Sequence, residues 1–199
     1  MAQITLKPIA KKQMTFGIRG TSPLIMHKWS EKALTMMRDK QSGKKTKERS
    51  VRDPQSEARE ATYVTDDGRI GIPGMALKNA LVAAAHKDLG IEKTLVRKAL
   101  FLVTSDPNKV LPIESDEPIV REDCVRVGMG AADLRYRPEF RNWRCVVTLE
   151  VDSDLMQCQD VLSLVDRAGF GVGICEWRPE NGGEYGRFEV DPTQPVEFG

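Results

Sequence analysis

"MALKNALVAAAHKDLG", residues 75–90, is the clearest helix in the chain, and its reading decides the fold. Leu77, Ala80, Leu81, Ala84 and Ala85 recur at the spacing that makes one apolar stripe, and Gly90 stands where a helix C-cap belongs. Such a stripe needs a layer to lie on, and the flanking segments supply strands. "MTFGIRG", residues 14–20, alternates apolar and polar positions ahead of it. "FLVT" and "KVLPI" follow it around the turn "SDPN". "RCVVTLEVD", residues 144–152, sets Cys145, Val147, Leu149 and Val151 on one face and Val146, Thr148 and Glu150 on the other. "MQCQDVLSLVDRAG" carries a second apolar stripe and places Gly169 as its cap, and "YGRFEV", residues 185–190, reads as a last strand.

The order is strand 14–20, helix 75–89, strand near 100–113, strand 144–152, helix 157–168, strand 185–190. That is βαββαβ, the split-βαβ or ferredoxin-like plan. The fold class is α+β: an antiparallel sheet with helices on one face, as one domain over residues 1–199. Long insertions interrupt it. Ser30 caps a short helix opening at Lys32 to Met37. Residues 38–60 form a basic arm or flexible loop, since 38–52 hold seven basic residues, two acidic ones and one apolar one. Residues 114–142 are a second insertion or loop. Residues 191–199, "DPTQPVEFG", are broken by proline and trail over the surface.

Bulk composition narrows the function. Hydrophobic residues make up 40% of the chain and charged residues 30%, with a net charge of only +1. Any attraction to nucleic acid must therefore come from local patches. No run of 18 apolar residues is present, so no membrane partner is expected. "MAQITLKPIAKKQMTF" has charges where a secretory segment needs apolar residues, which points to the cytoplasm. Cys124, Cys145, Cys158 and Cys175 are irregularly spaced and, with only two histidines beside them, predict neither a metal site nor any cofactor.

The stretch "GFGVGICEWRPENGGEYGRF", residues 169–188, is the densest in glycine. It lacks the third glycine of GxGxxG and follows a helix instead of opening one, which argues against a nucleotide cradle. Two readings stand. It is a helix cap followed by a hairpin turned at Asn181-Gly182-Gly183, or its glycines let another backbone approach.

Three groups point to nucleic acid. The arm carries Lys44, Lys45, Lys47, Arg49 and Arg52, which suit phosphate. "ADLRYRPEFRNWR" interleaves Arg135, Tyr136, Arg137, Phe140, Arg141, Trp143 and Arg144 in a Gly-flanked loop. Cations for phosphate and aromatic faces for bases are the pairing that single strands require. The alternative is a loop anchored by Tyr136, Phe140 and Trp143, with solvated arginines. Trp177, Arg178 and Arg187 repeat the mixture. Catalysis is poorly supplied: His27, beside Lys28, is the one candidate acid or base, without a partner at an informative spacing.

Two blocks carry a resemblance. "GIPGMALKNALVAAA", residues 71–85, resembles the IPG-x-x-LK-x-A start of the first helix in RAMP-superfamily proteins, the ferredoxin-like backbone subunits of CRISPR effector complexes. The segment around residues 169–188 resembles that superfamily's glycine-rich loop. "IRGTSPLIMHKWSEKA", "DGRIGIPGMALKNALVAAA", "VGMGAADLRYRPEF" and "AGFGVGICEWRPENGGEYGRFEV" together resemble a phage-encoded protein family that brings no established activity. The RAMP resemblance implies single-stranded RNA held along a filament. Glu176 and Glu180 interrupt the glycine loop and would repel phosphate, leaving Arg178 and Arg187 as its contacts. The expectation is a non-enzymatic binder of single-stranded DNA or RNA that assembles with itself along the strand, serving protection or annealing. The alternatives are a metal-independent ribonuclease using His27 with Lys28, and a phage assembly protein that touches no nucleic acid.

Overall fold

A computed structural model describes residues 7–43, 52–127 and 130–199. In chain order the elements are β1 (Lys11–Gly20), β2 (Leu24–Ile25), α1 (Glu31–Gln41), α2 (Pro54–Glu60), β3 (Gly71–Pro73), α3 (Gly74–Leu89), α4 (Lys93–Ala99), β4 (Leu100–Leu102), β5 (Val110–Glu114), β6 (Ile119–Val127), β7 (Ala131–Phe140), β8 (Arg144–Asp152), α5 (Cys158–Gly171), β9 (Phe188–Val190) and β10 (Glu197–Phe198). No helix among the described residues is long and apolar enough to cross a membrane.

The main sheet is antiparallel and centred on β1 and β8, which pair from Lys11–Asp152 to Arg19–Arg144. β4 and β5 share the far edge of β8; β9 and β10 share the far edge of β1. Grouped this way, the order is last strand, first, third, second, which is the ferredoxin-like arrangement. Met14, Phe16 and Ile18 of β1 and Cys145, Val147, Leu149 and Val151 of β8 are buried beneath α3 and α5. The other face is open, and Val146 there is 52% exposed. The period-two alternation read from the sequence thus decides which side the helices cover.

Four local expectations are corrected. α5 does not stop at Gly169 but runs on to Gly171. Gly169 is buried, and a Cβ there would run into the Phe188 carbonyl, so this glycine lets the helix lie against β9. The insertion or loop expected over 114–142 contains strands β6 and β7, paired with each other from Ile119–Glu139 to Val127–Ala131, and β7 pairs with β2 beyond. Charged and apolar residues alternate along β7, but the charged face is the buried one, with Arg137 and Glu139 inside and Leu134 exposed, the reverse of what a reading based on apolar residues expects of a strand. The loop expected through residue 60 contains α2, capped by the Asp53 carboxylate, which accepts from the Gln55 and Ser56 N–H groups. Asp followed by Pro at the first helical position is a start signal that the charge run obscured. The tail does not trail over the surface. β10 pairs with β1, and Gln13 and Gly199 exchange backbone hydrogen bonds. β9 leaves part of that edge unpaired, and the tail fills it.

Candidate nucleic-acid interface

Between α5 and β9 the glycine-rich chain forms no strand. Gly173, Cys175 and Trp177 all have left-handed backbone, with φ of 70°, 63° and 49°. Non-glycine residues rarely hold this conformation, so the segment is over-determined by its surroundings. Glu176 N–H donates to the Ile25 carbonyl, Gly186 N–H to Pro23 and Ile174 N–H to Gly186. A Cβ on Gly186 would strike the Ile174 carbonyl. The hairpin expected at Asn181–Gly183 is instead a short 3-10 turn, Pro179–Asn181, closed by Gly182.

This segment faces the start of α3 across a cleft of about 250 Å3. Pro73, Ala76 and Asn79 line one wall, Gly173, Glu176 and Arg178 the other, and His27 and Tyr63 complete it. The two blocks that carry the RAMP resemblance therefore meet at one place. Arg135 donates to the His27 ring at 3.1 Å, and Glu176 stands 3.8 Å from its other nitrogen. Burial holds the His27 pKa below its ordinary value; Glu176 pulls it up, and Arg135 and Arg137 push it down. The imidazole is thus neutral near pH 7. Burial pushes the Cys175 thiol up to about 12, so it is not a thiolate. Arg178 binds the Glu180 carboxylate and the Cys175 carbonyl, and Glu180 also takes Lys87 at 2.8 Å. Charges of both signs line the cleft, which offers donors and acceptors but no strong net attraction for phosphate.

Behind the cleft lies a network that the sequence reading missed. Arg137 is 1% exposed, 3.1 Å from Asp123 and 3.2 Å from Glu176. Arg121 binds Glu139, Asp123 and the Tyr185 hydroxyl. Arg141 donates to Glu139 at 2.8 Å. The Trp177 ring lies 4.9 Å from the Arg137 guanidinium and 5.5 Å from that of Arg121, and it tilts against Tyr185. Buried charges need such partners, because the interior cannot screen them. The network ties the β6–β7 hairpin to the glycine-rich segment.

No protein-family model and no curated protein matches the sequence. Solved structures do match. One is a cryo-EM structure of the Type III-B Cmr-beta bound to cognate target RNA, with a TM-score of 0.54 and 10% identity over 94% of this chain and 60% of that one. The chain shares the fold of that structure. The present chain spans about 60% of the length of that neighbour. A second match, the crystal structure of Cmr6 from Pyrococcus furiosus, has a TM-score of 0.46 and 12% identity over 92% of this chain and all of that one.

Within this frame the remaining predicted residues scatter. Trp143 is 1% exposed, donates its indole N–H to the Ser22 carbonyl at 2.9 Å and packs edge-on to Phe188. It is core, and so, with Arg137, it presents nothing to a surface ligand. Arg52 is gripped by both Glu57 oxygens and by Asp133, and stands over Tyr136. Arg135 is shared between His27 and Asp133. Arg144 lies 3.7 Å from buried Asp191 and faces the open side of the sheet. Arg187 lies over Phe170, which is 72% exposed. Lys28 is exposed. Lys44, Lys45, Lys47 and Arg49 lie outside the described residues. Of the missed members, Arg121, Asp123 and Glu139 had one sequence signal, and Tyr185 had none. Opposite charges stand two apart in "VREDC" and "RYRPEF", which puts them on one face of each strand.

Proposed function

We propose that this protein binds single-stranded nucleic acid without cleaving it, with RNA the first strand to test. The observation that carries the reading is the meeting of the helix-start block and the glycine-rich block at one cleft. The fold is shared with a structure described as bound to cognate target RNA, and this supports the reading. The mixed lining of the cleft suits bases and sugars, while phosphates need cations elsewhere on the surface. Copies assembling side by side would extend the site along a strand, and single-strand protection or annealing in a phage life cycle is the role that suits such assembly. Titration of a labelled 30-nucleotide strand at 50 and 200 mM salt tests this. Binding should weaken steeply with salt, as it does when phosphates release counterions. Absence of binding to RNA and DNA at 50 mM salt would sink the proposal and leave an assembly protein that touches no nucleic acid.

The place of His27 in the cleft favours a second reading, a metal-independent ribonuclease with Lys28 as a stabilising cation. A neutral imidazole can accept a proton. RNA that stays intact through an overnight incubation with chelator removes this reading. Cleavage lost in His27→Ala, with binding retained, would establish it in place of the first.

A further inference from the structure

Most arginines of the cleft and hairpin end on a carboxylate. The junction of α3, α4 and β4 differs. Lys78 on α3 donates its ammonium to the Arg97 carbonyl on α4 at 3.0 Å, and the same ammonium stands 4.5 Å from the centre of the Phe101 ring. Lys109 adjoins them, because its carbonyl takes the Gly74 N–H at the start of α3 at 2.8 Å. Arg97 and Lys109 are exposed and have no carboxylate partner among the described residues. Asp106, on the same loop as Lys109, is turned to backbone, accepting from the Asp66 and Val110 N–H groups. Burial lowers the Lys78 pKa, and Lys109 and Arg97 push it the same way, so the charges that act on it are cations. Phe101 is 50% exposed, with Val103 exposed beside it.

Of the carboxylates nearby, Asp106 is turned to backbone N–H groups and Glu150, opposite Phe101 on β8, pairs with Lys11. Like charges that no carboxylate pairs directly repel one another, and an exposed aromatic ring leaves apolar surface in water. Carboxylates by themselves would relieve the first cost only. A single strand relieves both, because phosphates neutralise cations and a base covers the ring. We infer that Lys78, Arg97, Lys109 and Phe101 form a contact for the phosphates and one base of a single-stranded nucleic acid. This rests on the binding function proposed above and gives it a surface that none of the arginine-rich segments read from the sequence includes.

The test is anisotropy of a labelled 20-nucleotide strand with wild type, with the triple variant Lys78→Gln, Arg97→Gln, Lys109→Gln, and with Phe101→Ala. Three lost phosphate contacts should reduce the slope of log K against log salt by about 2, at roughly 0.7 per contact, and weaken binding at least tenfold. Phe101→Ala should weaken binding by about tenfold, the range of one stacked base. If the triple variant unfolds, Arg97→Glu alone, on an exposed side chain, should still weaken binding about tenfold. Wild type binding with unchanged affinity and slope in the variants overturns this inference alone. Wild type binding no strand overturns both it and the proposed function. Polyglutamate displacing the strand at equal charge concentration would identify an acidic protein as the partner and overturn the assignment.

Discussion

Arg137 shows why residue type and residue role part company in this protein. In "LRYRPEF" it reads as a surface cation, yet it is held between Asp123 and Glu176 with Trp177 across its face. Nothing local distinguishes it from Arg135, two positions away on the same strand face, or from Arg141, just past the strand end, both of which remain partly exposed. What distinguishes it is the irregular glycine-rich segment about forty residues downstream, whose Glu176 and Trp177 fold back over it. Trp143 tells the same story with the opposite chemistry, because an indole beside arginines suggests stacking, while its N–H is spent on Ser22. Gly169 has the sequence context of a helix cap and the structural place of a contact point inside α5. As a cap it would tolerate alanine poorly through backbone strain; as a contact point it would tolerate it poorly through overlap with Phe188. Gly169→Ala should therefore cost about 2 kcal/mol, or about 4–8 °C in Tm, by overpacking the α5–β9 contact. A thermal melt with an unchanged midpoint would show that the contact yields freely.

Among elements, the strong apolar patterns of α3, α5, β1 and β8 were legible because each buries one face against a common core. β7 was not, since its buried face is ionic and its partners lie on other elements. β10 was not, since two residues carry no pattern of their own and pair only because β1 offers an open edge. Removing residues 194–199 would reopen that edge and strip Gln194 from the space above Gly17. The loss of the reciprocal Gln13–Gly199 bonds and this packing should lower stability by about 1–3 kcal/mol. It should also raise self-association, read by light scattering at increasing concentration. A truncated chain as stable and as monodisperse as the full one would mean that the tail is an ornament on the sheet.

At the scale of the whole molecule, 30 basic residues balance 29 acidic ones, and the balance is also spatial. Arg19 meets Glu189, Arg52 meets Glu57 and Asp133, and Arg178 meets Glu180, so much of the positive charge that suggested a broad phosphate groove is neutralised internally. On the proposed function, binding would fall to a small contact per copy, and a long strand would be held by several copies. With saturating 30-nucleotide strand, light scattering should give a mass of more than one copy per strand, built through unlike faces meeting in a row. A strict one-to-one complex would rule out assembly along the strand. The sequence by itself determined the α+β class, the order of its main strands and helices and the burial of their apolar faces. It could do so because period-two and helical spacing are local consequences of backbone geometry. Tertiary structure alone decided which arginines are buried in ion pairs, which cations around Phe101 have no carboxylate partner among the described residues, and that the glycine-rich segment faces the start of α3 across one cleft. Those facts depend on partners distant along the chain, and the cost of an unpaired buried charge is set by where the fold brings its neighbour, not by the residues beside it.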